Sequence, residues 1–258
     1  MARPRGNAHS LKRVRIRGTL RVHGRRLAAA LVVSAVVTGC ADVDPGAQKR
    51  VRSAAGELAG TTVDGTFSMT FQVAGDTFTM EGDMVMDVAA RIGRMTIRMR
   101  GVQDVPAGAE LDMLIDGDDT YFRDPELYGT SRWVHVSSEE AGIGNGLGTG
   151  PDLPAYLAYL SSARNVRIVG IERVAGASTT HYEGDVDPSQ LNQMDASFDV
   201  WIDVHGAVHR IDLAFEPHEG DGGSQVRLNV GKIGVELDVE VPSGREVVDL
   251  QDLEPPQE

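Results

Sequence analysis

The chain has 258 residues, 25 basic and 38 acidic side chains, a formal net charge of −13 and a single cysteine. Nine of the basic groups and none of the acids fall in residues 1–39, so residues 40–258 carry 16 basic against 38 acidic groups, a formal −22. Such a surface repels nucleic acid and anionic headgroups and favours solubility. One cysteine permits no intrachain disulfide, so the remaining 219 residues, ample for one domain, must be held together by their core.

Residues 1–26 form a basic leader whose arginines share no apolar face. Leu27 to Val37 is an apolar run, closed by the small residues Thr38 and Gly39 and then by Cys40. That order is the pattern of a secretory signal, and the run is well short of the roughly 20 residues a membrane-spanning helix needs. Val37-Thr38-Gly39-Cys40 resembles the lipobox of bacterial lipoproteins: an aliphatic residue, a small residue, glycine or alanine, and the modified cysteine. The resemblance implies cleavage before Cys40, a diacylglyceryl group on its thiol, and an anchor on the extracytoplasmic face of the cell membrane; two acyl chains hold stably where one is marginal. The expected organisation is a signal peptide over 1–39, a lipidated cysteine and tether over 40–44, a domain over 45–245, and a disordered acidic tail over 246–258.

Asp44-Pro45 reads as an N-cap followed by proline at the first helical position. Val51, Ala54, Ala55 and Leu58 give that helix an apolar stripe before Gly60. From Thr61 the period becomes two. Val63, Phe67, Met69, Phe71 and Val73 alternate with polar residues, Gly75-Asp76 makes a turn, and Phe78, Met80, Met84, Met86 and Val88 return. Met95, Ile97 and Met99, then Leu111, Met113 and Ile115, continue the scheme to a turn at Asp116-Gly117, followed by Tyr121, Phe122 and Trp133. This is an antiparallel meander with one apolar and one wet face.

Glycine recurs at every second position from Gly142 to Gly150, a stretch that supports no packed element and is either a plain linker or a candidate entrance flap. Asp152 caps a second amphipathic helix carrying Leu153, Tyr156, Leu157 and Leu160. Strand patterns cover 166–174 and 177–186, and Asp187-Pro188-Ser189-Gln190 has the form of a capping box. Residues 198–204, a turn at His205-Gly206, 209–215, a loop at Asp221-Gly222-Gly223, 226–230 and finally 235–241 complete the strands. Val73-Ala-Gly through Glu81-Gly-Asp83 echoes Val174-Ala-Gly through Glu183-Gly-Asp185.

The catalytic signatures sought are missing: there is no Gly-x-Ser-x-Gly elbow, His-Glu-x-x-His, P-loop or dinucleotide fingerprint. His205 and His209 read as solvated turn and strand residues, and Asp116, Asp118 and Asp119 as a hairpin turn lacking the glycine and distal glutamate of a calcium loop. No enzyme, cofactor or metal is expected. Methionine stands out instead. Seven of nine, Met69, Met80, Met84, Met86, Met95, Met99 and Met113, fall in the first strand block. Methionine is overused where a surface must fit irregular apolar partners, so these residues, with Phe67 and Phe71, are either plain core or the lining of a cavity for acyl chains.

In order and texture the chain resembles the LppX/LprG-type, LolA-like lipoproteins of actinobacterial envelopes over residues 45–241. The stretches that carry the likeness are Tyr121-Phe122, Arg132-Trp133-Val134, Tyr156-Leu157, Val169-Gly170, Thr180-His181-Tyr182-Glu183-Gly184 and Val186-Asp187-Pro188. The most specific piece is Phe198-Asp199-Val200-Trp201-Ile202-Asp203 with Gly206 and Val208-His209-Arg210-Ile211. The resemblance implies an α+β fold: a single curved antiparallel sheet, or half-barrel, with helices packed across its concave face. It further implies an apolar cavity that binds, and can transfer, lipid or glycolipid. The alternative is an envelope scaffold or regulatory lipoprotein with a filled core that binds another protein.

Overall fold

The computed structural model describes residues 43–73, 76–101, 109–137, 152–191, 194–217 and 222–253. All belong to the unit Cys40–Glu258. Cys40 with its leader, turn residue Gly75 and the glycine-rich stretch 141–150 lie outside the described residues.

Helix α1 (Pro45–Ala59) starts as the sequence dictates. The Asp44 carboxylate accepts from the Gly46 N–H at 2.7 Å, proline opens the first turn, and Ala47, Val51, Ala54, Ala55 and Leu58 form the buried stripe. The meander follows as β1 (Thr62–Val73), β2 (Asp76–Asp87), β3 (Ile92–Arg100), β4 (Glu110–Asp116) and β5 (Asp119–Arg123). A one-turn helix, α2 (Pro125–Tyr128), leads to β6 (Trp133–Ser137). Helix α3 (Leu153–Ser161) opens the second half, with β7 (Arg164–Val174), β8 (Ala177–Asp185), β9 (Met194–Asp203), β10 (Val208–Pro217) and β11 (Gly222–Ile233).

These strands and a short β12 (Val247–Asp249) make one twelve-stranded sheet in the order β12-β6-β5-β4-β3-β2-β1-β11-β10-β9-β8-β7. It is open and curved, and every pairing is antiparallel except that of β12 with β6. The helices gather at the β7 side: α1 packs on α3 and on β7, β9 and β10. Two bonds fix that packing. The Asp44 N–H donates to the Val166 carbonyl at 2.9 Å, and Arg52 Nη2 donates to the Ala163 carbonyl at 2.7 Å.

The strand period puts the apolar side chains on one face, and the register lines them up across the sheet. One row reads Leu228, Phe67, Gly82, Ile97 and Leu111. Glycine inside a strand normally weakens it, but the neighbouring backbone requires it here. A Cβ on Gly82 would stand 1.9 Å from the Thr96 carbonyl oxygen and 3.2 Å from Cε1 of Phe67, whose ring covers the gap. Gly184 repeats the device in the other half, its Cβ position lying 2.8 Å from Cζ of Phe198. The two glycines are the middle residues of the Glu-Gly-Asp echo, on the second strand of each hairpin.

Two expectations need correction at the C-terminal end. Residues 235–241 form no strand: β11 runs on to Ile233, and Val235, Leu237, Val239 and Val241 continue as irregular chain with alternate side chains half-buried. Period-two burial arises whenever an extended segment lies on a surface, with or without ladder partners. Residues 246–253, expected as part of a disordered tail, are ordered, because Val248 enters the core and Leu253 packs against it, which holds β12 in place.

The glycines generate opposite expectations for one substitution. Gly82→Ala must displace the Thr96 backbone and should lower unfolding stability by about 2 kcal/mol or more. Gly56→Ala, on the exposed side of α1 with nothing within 4 Å of the new methyl group, should raise it by about 0.5–1 kcal/mol. Urea midpoints at constant m-value check both.

Candidate lipid-binding face

All nine residues singled out by the sequence lie on the same face, on four adjacent strands. Met69 of β1 pairs with Met80 of β2 and that with Met99 of β3; Met84, Met95 and Met113 make a second row that ends on Phe122 of β5. Phe67, Met69, Phe71, Met84, Met86, Met95 and Met113 are buried in one contiguous core, and Met80 and Met99 are half-buried against it. This follows from register: once Gly82 is set opposite Phe67, the pleat places every second residue of β1 to β4 inward.

Burial falls towards one end of the face, where the β1–β2 hairpin turns. Phe78, Met80 and Met99 are half-buried there. Phe71 and Phe78 stack at 4.8 Å with their planes 17° apart. Across the sheet Phe71 leads through Ser224 to Phe215, and Tyr159 of α3 meets the Phe215 ring edge-on at 5.8 Å, with Tyr156 tilted against Tyr159 at 6.4 Å. Burial, with Asp152 nearby, drives both tyrosine hydroxyls above their ordinary range. The rim is therefore aromatic, with two tyrosine hydroxyls and the Asp152 carboxylate beside them. A separate shallow groove of about 280 Å³ lies along α1 at Pro45, Gln48, Lys49 and Arg52 and includes none of the nine residues.

The outer face carries two constellations that the sequence reading missed. His135 of β6 has Nε2 2.8 Å from an Asp119 oxygen and Nδ1 2.7 Å from an Asp249 oxygen. His181 of β8 sits between Glu172 (2.9 Å) and Asp199 (2.6 Å), and stacks on Trp201 at 4.3 Å. Each has an arginine over a tryptophan beside it: Arg123 over Trp133 at 4.5 Å, and Arg210 over Trp201 at 4.4 Å. Asp212 then accepts from both Arg210 and Arg227. An imidazole engaged at both nitrogens by carboxylates has none left to take a substrate proton, so these groups tie strands together. Of the histidines weighed in the sequence, His205 is exposed, and His209 Nε2 lies 3.3 Å from an Asp203 oxygen. Asp116 and Asp119 flank the tight β4–β5 turn, with Gly117 at φ 64°.

No family model and no curated protein matches the sequence. Among solved structures, LprF from Mycobacterium bovis aligns over 79% of this chain and 100% of its own, with a TM-score of 0.54 at 14% identity. The chain has the LppX/LprG-type fold. The lipoprotein LppX from Mycobacterium tuberculosis aligns over 76% of this chain and 100% of its own, at a TM-score of 0.49 and 18% identity. A lipoprotein-sorting protein domain from Vibrio parahaemolyticus covers 75% of this chain and 92% of its own, at 0.34 and 16%. In this fold the nine candidate residues occupy the inner face of the sheet.

The His135 clamp sets a pH dependence. Hydrogen bonds to Asp119 and then Asp249 raise the imidazole pKa above its ordinary value, against an opposing effect of burial. A group whose folded pKa is raised contributes fully below its unfolded value, near 6.5, and the contribution fades as pH rises through the folded value. Since Asp249 lies on β12, amide exchange at Val247–Asp249, corrected for intrinsic rate, should accelerate as pH rises above about 6.5. His135→Gln should flatten that profile.

Proposed function

We propose that this is a membrane-anchored extracytoplasmic lipoprotein that binds, and can transfer, lipid or glycolipid, with Cys40 as the acylated residue. The observation that carries the reading is the placement of seven methionines and two phenylalanines on one inward face, grading into an aromatic rim. Flexible, polarisable thioethers adapt to a chain of variable kink and length. Apolar burial of about 25 cal/mol per Å² makes even one acyl chain a substantial ligand. The rim supplies rings and two neutral phenols. The likeness to LprF supports the fold on which this rests.

The depth at which Met69, Met86, Met95 and Met113 are buried, 2% exposure or less, favours a second reading, a filled core serving a scaffold lipoprotein. One experiment separates the two. Delipidated protein is incubated with an envelope lipid extract and examined by native mass spectrometry. Retained lipid supports the carrier, and no retained lipid under any condition ends it. Met99→Glu, at the half-buried end of the face, places a carboxylate where acyl chains would enter. It should reduce retained lipid about tenfold, the effect of about 1.4 kcal/mol, while thermal unfolding shows the fold intact.

A further inference from the structure

The net charge of −22 describes the whole surface, yet one face departs from it. Helix α1 covers the inner side of edge strand β7 as far as Val166, and beyond that point apolar side chains stand in solvent: Ile168 is 46% exposed and Ile171 78%. Val169, between them at a register shift, is 49% exposed, and Val204, whose carbonyl accepts from Arg50, is 77% exposed. Around this strip stand four cations with no carboxylate partner among the described residues. Arg50 donates to the carbonyls of Asp203 and Val204, Arg52 to that of Ala163 and Arg173 to that of Gly176, and Lys49 has no partner among the described residues. Backbone carbonyls orient a guanidinium without neutralising it. None of the nearby acids pairs with these cations. Asp44 caps α1, Glu57 accepts from the Ser53 hydroxyl beside Gly206, Asp203 accepts from two backbone N–H groups and lies beside His209, and Glu172 faces outward onto His181 and Trp201.

We infer that the α1–β7 face docks onto an anionic phospholipid surface, with Ile168, Ile171 and Val204 at the headgroup boundary and Lys49, Arg50, Arg52 and Arg173 over phosphates. The inference rests on the proposed acylation of Cys40. That residue lies four positions before Asp44, whose N–H is bonded to Val166 of β7. Four residues span at most about 15 Å, so an acylated Cys40 holds this face against the bilayer. At physiological salt the Debye length is about 8 Å. The local cations therefore act on the headgroups, and the acids on the far side of the domain are screened. A β-strand partner is disfavoured because β7 carries two register shifts, between Arg164 and Arg167 and between Ile168 and Gly170, and bulged edges resist strand addition.

The test uses the acylated protein reconstituted in vesicles of phosphatidylcholine, with or without phosphatidylglycerol, and reads amide exchange at Arg167–Arg173. Exchange should slow at least about fivefold in the anionic vesicles only, and high salt should reverse part of the effect. Ile168→Glu with Ile171→Glu should abolish the protection, leave exchange in β3 and β9 unchanged as the folding check, and leave lipid retention in native mass spectrometry unchanged. That last readout separates this proposal from the carrier reading, which can fail independently. Equal exchange in both vesicle types overturns the proposal. So does protection that grows with protein concentration without vesicles, the signature of a second copy on this face, and so does an intact mass with no acyl group on Cys40.

Discussion

A sheet of twelve strands that does not close presents one long apolar face, while its two longer helices sit together at the β7 side. Every strand from β1 to β11 contributes residues to one core, so the sheet's own curvature must bring its inner face together. Curvature needs positions where a neighbouring carbonyl comes closer than any side chain permits, and Gly82 and Gly184 are such positions. Phenylalanine rings fill the hollows the glycines leave, so the inner face bends without losing its packing. The placement of the methionine rows depends on that geometry.

Curvature also leaves two free edges, the standing liability of an open sheet, and the molecule treats them differently. The β6 edge is covered by β12, whose Val248 enters the core and whose Asp249 engages His135. The β7 edge is bulged and tied to α1 through Asp44 and Val166. Behind each edge an arginine-stacked tryptophan and a histidine between two carboxylates cross-link the outer faces of neighbouring strands. These bonds tie the last few strands at each end of the sheet, where fewer neighbours hold the backbone.

What was legible in the sequence is whatever local chemistry decides. Asp44-Pro45 and Asp152 announce their helices, since a cap acts within one turn, and the period of two places the residues of β1 to β4 on the correct face before any partner is known. The illegible parts depend on contacts between distant segments. His135 joins Asp119 and Asp249 across 16 and 114 residues, and no local pattern marks such a triple. Residues 235–241 share the alternation of a strand without its ladder, because burial of alternate side chains does not require hydrogen-bonded neighbours. The nine candidate residues were legible as a face. Their grading from deep burial at Met86 and Met113 to half-burial at Met80 and Met99 follows from register and from where the β1–β2 hairpin ends.

That grading bears on why methionine occupies this face where leucine or isoleucine would pack more rigidly. A core that only had to be filled would favour side chains with few rotamers, since flexible ones lose more entropy when fixed. The other half of the same core follows that rule: Val200, Ile202, Ile211, Leu213, Val226 and Leu228 line β9 to β11 beneath the helices. The contrast lies within one sheet. It fits the proposed function, in which an apolar ligand of variable shape would lie against β1–β4, because side chains that exchange rotamers at low energy can pack against each other when it is absent and against it when it is bound.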